Sequence, residues 1–286
     1  MKTYVIYNKK SNNDKGATAA FKIKDIWTHK ELIYKELNEF DTYRELFGSI
    51  TPEDEVVICG GDGTLNFLVN EIDCDKVENR IYYYPTGSGN DFWNDLGKKD
   101  GDAPVLINDY IVRLPSVIVN GMTRKFINGI GYGIDGYCCE EGDRQRVNSG
   151  GKPINYTSIA IKGLLLHYKP TKATITVNGE THVFDKTWLA PTMNGRFYGG
   201  GMMATPDQDR LNPARTVTTM VMYGKGKIGT LAVFPSIFKG EHVNKTNIVK
   251  TFVSNRVKVA FDRPVALQID GETVLSVREY EVITAE

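Results

Sequence analysis

Glu55-Val56-Val57-Ile58-Cys59 runs directly into Gly60-Gly61-Asp62-Gly63-Thr64, and Leu65, Leu68, Val69 and Ile72 follow. The first five residues form a short apolar run, which predicts a buried parallel strand. The later apolar residues recur at the spacing of one helix face, which predicts a helix over Thr64–Ile72. A glycine turn that opens a helix after a buried strand suits a phosphate. Backbone N–H groups face outward, the helix dipole favours an anion, and glycines let the backbone come close. Asp62 adds a carboxylate able to hold Mg²⁺ or order its waters. Thr64 is expected to cap the helix. Glycines can serve turn geometry alone, but three of them around an aspartate favour the phosphate reading.

Working outward, the first hundred residues or so alternate strand and helix patterns. Tyr4–Tyr7 reads as a strand and Gly16–Trp27 as a helix. Lys30–Phe47 reads as helical with a break near Asp41, and Arg80–Tyr84 as a strand. A second turn follows, Pro85-Thr86-Gly87-Ser88-Gly89-Asn90-Asp91, before a short helix through Leu96. Such alternation implies parallel strands with helical crossovers, and ligands bind at the carboxyl ends of such strands. Both glycine turns lie at carboxyl ends. Thr86, Ser88 and Asn90 are then placed to meet one nucleotide. Asp91 sits just inside a helix start, where a negative charge is favourable in any case.

Past about residue 105 the pattern changes. Asn120-Gly121 separates Ile111–Val119 from Met122–Ile127, Asn178-Gly179 separates Thr174–Val177 from Glu180–Phe184, and Asp270-Gly271 separates Val265–Ile269 from Glu272–Val277. Asn-Gly and Asp-Gly between β-rich runs are strong hairpin signals. Helical stretches interrupt at Tyr156–Tyr168 and Ile228–Phe238. The expected class is α/β: an N-terminal α/β nucleotide-binding domain with a parallel sheet over residues 1–105, then a β-rich, antiparallel, sandwich-like domain over 106–278. Gly131-Tyr132-Gly133-Ile134-Asp135-Gly136 matches G-x-G-x-x-G, but it follows a hairpin and no clear helix opens at its end, so it is not read as a dinucleotide fingerprint. Gly199-Gly200-Gly201-Met202-Met203 could line a ligand cleft.

Lys+Arg and Asp+Glu each number 35, so charge points to neither nucleic acid nor an anionic surface. Cys59, Cys74, Cys138 and Cys139 lack zinc-site spacing and are expected to be reduced thiols. The N-terminus does not read as a signal peptide, and no run approaches the roughly 18 apolar residues of a membrane span. A cytoplasmic protein is expected, meeting a membrane only peripherally, at its inner surface.

Taken together, these motifs resemble the diacylglycerol and sphingosine kinase catalytic-domain superfamily, in its bacterial soluble lipid kinase form. The resemblance rests on Gly60–Asn66, on Pro85–Phe92, on Asn128-Gly129-Ile130-Gly131-Tyr132-Gly133-Ile134-Asp135, on Gly199–Met202 with Pro206, and on Ile269-Asp270-Gly271-Glu272. These occur in the family's order across nearly the whole chain. The first loop alone is shared with NAD kinases and phosphofructokinases; the combination is more specific. The resemblance implies two domains with ATP between them, and Mg²⁺-dependent transfer of the γ-phosphoryl group to a lipid hydroxyl, most simply that of diacylglycerol. Asp270 would be the general base and Glu272 its partner. Asn8, Gly60, Gly61, Asp62, Gly63, Thr64, Asn66, Thr86, Gly87, Ser88, Gly89 and Asn90 would bind the nucleotide. Asp62, Asp91 and Asp135 would organise the metal. The last segment, 279–286, would return to the first domain.

Two departures stand out. Asn8-Lys9-Lys10-Ser11-Asn12 replaces the family's N-P-x-x-G. Asp207-Gln208-Asp209-Arg210-Leu211-Asn212-Pro213 replaces a D-D-G-x-x-D-like run that holds a structural metal, with Asp209 as the surviving counterpart. Two alternatives follow: a kinase of a soluble acceptor, as in NAD kinases, and a homologue that binds nucleotide or lipid without transfer.

Overall fold

The computed structural model describes residues 1–9, 16–87, 89–148 and 154–285. The chain divides into two compact units, Met1–Leu114 and Pro115–Glu286. The break therefore falls later than 105/106, because Ile107 donates its N–H to Ile81 O and Asn108 Oδ1 accepts from Ile81 N, tying this stretch to the first unit.

The first unit is built on a sheet of five strands: β1 (Thr3–Tyr7), β2 (Leu32–Glu36), β3 (Glu55–Gly60), β4 (Arg80–Pro85) and β5 (Val105–Leu106), in the order β2-β1-β3-β4-β5. All neighbours are parallel except β4 and β5. Val56, Val57, Ile58 and Cys59 are all fully buried, as expected of a central strand covered on both faces. Helix Asp62–Glu71 follows β3 and packs back on it, burying Leu65, Leu68 and Val69. Its first turn begins at Asp62, not Thr64; Gly61 is the N-cap and no side chain caps it. Thr64 is thus inside the first turn and does not cap. Two other expectations change. Gly16–Trp27 divides into short helices Gly16–Ala20 and Ile23–Ile26. The helical reading of Lys30–Phe47 fails over its first half, where Leu32–Glu36 is the sheet's edge strand, in register with β1 from Thr3↔Leu32 to Tyr7↔Glu36. A short apolar run fits either period, and here the parallel ladder decides. The second half is helical in two pieces, a 3₁₀ turn at Leu37–Glu39 and the helix Tyr43–Gly48, the latter capped by Thr42, whose side chain accepts from Glu45 N.

The second unit contains β6 (Ser116–Val119), β7 (Met122–Lys125), β8 (Gly129–Tyr132), β9 (Thr171–Val177), β10 (Glu180–Thr187), β11 (Thr192–Met193), β12 (Phe197–Tyr198), β13 (Met202–Met203), β14 (Val217–Met222), β15 (Val249–Ser254), β16 (Arg256–Ile269) and β17 (Glu272–Ile283). All but β12 and β13, which pair with each other, join one antiparallel sheet. The long strand β16 is shared. Its first half pairs β9, its last residues pair β8, and the register shifts between Ala260 and Leu267, where Pro264 sits. Such a bulge lets one strand serve two differently directed ladders. One hydrophobic cluster, including Phe126, Ile130, Tyr132, Trp188 and Leu267, fills this unit.

All three predicted hairpins form. Both turn residues have positive φ at Asn120/Gly121 (47° and 77°), Asn178/Gly179 (51° and 85°) and Asp270/Gly271 (46° and 91°), the conformation that favours Asn, Asp and Gly. The run from Ile111 is strand only from Ser116; Asn108–Ile111 is helical. In the last segment Tyr280–Ile283 pairs with Val119–Ser116 on β6, within the second unit. A helix does open inside the G-x-G-x-x-G stretch, at Ile134, and runs to Asn148. It follows an antiparallel strand, so the dinucleotide reading remains excluded on topology. The glycine triplet 199–201 makes the tight β12–β13 turn, with all three residues at positive φ.

Candidate active site

The chemistry-bearing residues fall into two groups, one per unit. In the first unit the two glycine loops are fastened together at the carboxyl ends of β3 and β4. Thr86 N donates to Gly60 O at 2.9 Å, and the Tyr83 hydroxyl donates to the same oxygen at 3.0 Å. Asp62 spans the loops: its carboxylate accepts from Asp91 N and Phe92 N, both at 2.9 Å. It thereby serves the first turn of helix Asp91–Asp95, where a carboxylate is electrostatically favourable. A Cβ on Gly87 would lie 2.6 Å from the Gly61 Cα, so the two backbones cross with no room for a side chain. Asn8 lies beside them, its N–H bonded to Cys59 O.

Three observations fit this group to a nucleotide. The helix at Asp62 begins on glycine with no side-chain cap, which leaves its positive end to an anion. Gly63 is exposed, and a Cβ there would meet nothing within 4 Å. Asn90, held at φ 50° with Nδ2 on Gly87 O, keeps a buried Oδ1 that has no partner among the described residues. A buried acceptor of this kind is open to a donor from a ligand or a water. Thr86 and Asn66 are buried, and Asn66 Oδ1 faces the Asn70 amide of the same helix at 3.4 Å. Ser88 and Lys10-Ser11-Asn12 lie outside the described residues.

In the second unit the Asp270 carboxylate is gripped by consecutive backbone donors. Oδ2 accepts from Ile127 N at 2.6 Å, and Oδ1 from Asn128 N at 2.8 Å and Gly129 N at 2.9 Å. Asp270 N returns a bond to Gly129 O at 3.0 Å. This fixes the plane of the carboxylate at a turn tip. Glu272 is not what holds it. Glu272, about half exposed, pairs with Arg124 of β7 at 2.5 Å, two strands away in the sheet. Asp270 belongs to the two-residue turn, with φ 46°, whereas Glu272 is already on β17 opposite Ile269, so the pleat sets the direction of Glu272 but not that of Asp270. Spacing could not reveal the 127–129 donors, which arrive from 141 to 143 residues away.

Among the described residues, no three His, Cys, Asp or Glu side chains converge as a metal site. Mg²⁺ is commonly held by one or two carboxylates plus substrate phosphates, and Asp62 and Asp91 at the loop crossing fit that partial role. Asp135 is 6% exposed within the second unit and accepts from the Tyr198 hydroxyl at 2.6 Å. Asp209 Oδ1 accepts from Leu211 N, a local turn bond.

Burial pushes the Asp135 carboxyl from its ordinary 3.8 up to about 7, against the opposing pull of the Tyr198 hydroxyl. The sign follows. Below about 3.8 both folded and unfolded chains carry the proton. As pH rises toward 7 only the folded chain keeps it, so stability falls through this window, by at most about 4 kcal/mol at ~1.4 kcal/mol per pH unit. Asp135→Asn keeps an acceptor for Tyr198 and is expected to flatten that part of the profile. Urea unfolding at several pH values between 4 and 8 checks it; an unchanged slope in the variant rules the assignment out.

Comparison with known proteins places the chain. Residues 2–117 match the diacylglycerol kinase catalytic domain, and residues 128–281 match the YegS C-terminal NAD kinase beta sandwich-like domain. The chain belongs to the diacylglycerol kinase/YegS lipid kinase superfamily. It is 27% identical to YtlR of Bacillus subtilis over 192 residues, 62% of this chain and 59% of YtlR. It is 24% identical to a diacylglycerol kinase of Mycobacterium tuberculosis over 205 residues, 69% of this chain and 64% of that one. The match thus spans roughly three fifths of each relative's length. A solved diacylglycerol kinase of Bacillus anthracis strain Sterne superposes over all of this chain and 94% of its own, with TM-score 0.60 and 17% identity, a likeness of fold. Among the described residues no helix is long and apolar enough to cross a membrane.

Proposed function

We propose that this protein is an ATP- and Mg²⁺-dependent lipid kinase acting on the hydroxyl of diacylglycerol or a related lipid. The observation that carries the reading is Asp270, a carboxylate locked in a left-handed turn by three backbone N–H groups. Phosphoryl transfer asks the protein mainly for positioning and for an acceptor of the hydroxyl proton. Asp270 supplies the second. The crossed loops supply the first: the open end of helix Asp62–Glu71 would receive phosphate oxygens, and Asn90 Oδ1 a nucleotide donor. In the step, the lipid oxygen bonds to the γ-phosphorus, the bond to the β–γ bridging oxygen breaks, ADP leaves, and the hydroxyl proton passes to Asp270. Mg²⁺, when bound, would neutralise phosphate charge, and Asp62 and Asp91 would be the side chains that order it or its waters. Peripheral contact with a membrane would bring the lipid to the protein.

The test is transfer of radiolabelled γ-phosphoryl from ATP, with Mg²⁺, to a lipid panel in mixed micelles, with NAD as a soluble control. Label is expected in a lipid carrying a free hydroxyl. Label in NAD alone, or none despite ATP binding, overturns the lipid reading.

A further inference from the structure

We propose that Arg210 is a positioning residue for Asp270, acting through the peptide planes of residues 127–129. This rests on the assignment of Asp270 as the proton acceptor. Arg210 is 8% exposed. Its Nη1 donates to Ile127 O at 2.6 Å and its Nη2 to Asn128 Oδ1 at 2.5 Å. A buried guanidinium is costly unless its donors meet acceptors, and its planar fork suits two acceptors on one segment.

The coupling is covalent geometry. Ile127 C=O and Asn128 N–H are two ends of one rigid peptide plane. The oxygen is held by Arg210 and by Asn194 Nδ2 at 3.0 Å; the N–H is held by Asp270 Oδ1. Asn128 C=O and Gly129 N–H form the next plane. That oxygen accepts from Asn194 N and Gly195 N, at 2.9 and 3.1 Å, and that N–H again donates to Asp270 Oδ1. Turning either plane turns a donor away from the carboxylate. Arg210 is itself set by a pinned loop: Gln208 donates to Thr216 O at 2.9 Å and accepts from the Thr218 hydroxyl at 2.6 Å. The stretch in which this sequence departs from its family's acidic run thus delivers a fixed cation to the back of the Asp270 support.

The experiment compares Arg210→Met and Arg210→Lys with the unaltered full chain, reading kcat, KM for ATP, thermal stability and the amide proton shifts of Ile127, Asn128 and Gly129 after selective ¹⁵N labelling. For Arg210→Met the expected result is a kcat about 10²-fold lower, the scale of a small misplacement in an active site, with KM for ATP unchanged. The Asn128 amide proton, deshielded by its bond to a carboxylate, is expected to move upfield. Arg210→Lys, with the charge but not the fork, is expected to fall between. An Asn128 amide that stays in place in Arg210→Met overturns the proposal, as does an ATP affinity that falls in step with kcat. If Arg210→Met does not fold, Arg210→Lys decides: wild-type kcat and shifts overturn it. If the amide moves but Asp270→Asn retains full turnover, the clamp stands and the base assignment fails.

Discussion

Asp270→Asn is expected to lower kcat by about 10³-fold, within the 10²–10⁴ range of a lost acid–base group, while ATP affinity is retained. Asparagine cannot take the hydroxyl proton. It also disturbs the support, because three backbone N–H groups face the carboxylate and one amide oxygen replaces two acceptors. With Oδ1 kept on Asn128 N and Gly129 N, the new NH₂ opposes Ile127 N–H, an unsatisfied buried contact costing about 1–3 kcal/mol. The backbone adds no further cost, since Asn tolerates the observed φ of 46°. The fold should therefore survive, and a kcat loss worth ~4 kcal/mol in barrier exceeds the stability loss. Turnover, ATP titration and thermal melting on one preparation check this. A variant within tenfold of wild-type kcat sinks the assigned base. Asp270→Ala is the poorer probe: it strands all three donors and puts into left-handed backbone a residue without the short polar side chain that lets Asp and Asn adopt it.

Gly87→Ala is the second large effect. Its Cβ would fall 2.6 Å from Gly61 Cα, 3.2 Å from Gly61 N and 3.0 Å from Asn90 Oδ1. Two of these are backbone atoms, which cannot rotate away as a side-chain tip can. The loops must separate, pulling on the Asp62 bonds to Asp91 N and Phe92 N and on Thr86 N to Gly60 O. Overpacking of this kind costs about 1–3 kcal/mol of stability. The larger loss should be in ATP affinity, about 10²-fold, because the phosphate-facing helix start and the Asn90 acceptor are displaced together. Gly63→Ala is the matched control for stability, since its Cβ would meet nothing within 4 Å. Calorimetric ATP titration of Gly87→Ala, with thermal melting of both variants, checks this. Wild-type affinity in Gly87→Ala would show that the crossing of the loops does not build the nucleotide site.

Much of this was legible along the chain because its signals are local. A fully apolar run before Gly60 specifies a buried parallel strand, and Asn-Gly or Asp-Gly specifies a two-residue turn through φ alone. The strand Leu32–Glu36 was not legible, because it is short, half-buried and defined by its neighbour β1. The helix from Ile134 was hidden by a polar sequence, Glu140-Glu141-Gly142-Asp143-Arg144-Gln145, that carries no clean apolar stripe. The surroundings of Asp135 were hidden for a related reason: a carboxylate in sequence does not say whether it faces solvent or, as here, a buried tyrosine hydroxyl.

By itself, then, the sequence determined the two-part architecture, the positions of both glycine loops and the turn that presents Asp270, since strand period, helix spacing and turn conformation depend on neighbours a few residues apart. Only the tertiary structure decided what each acid does. Asp62 fastens two loops, Asp135 is sealed in a core, Glu272 turns to Arg124, and Asp270 is held by donors from residues 127–129 that Arg210 supports. A carboxylate's role is set by the few atoms within hydrogen-bond reach, and folding brings most of those from far along the chain.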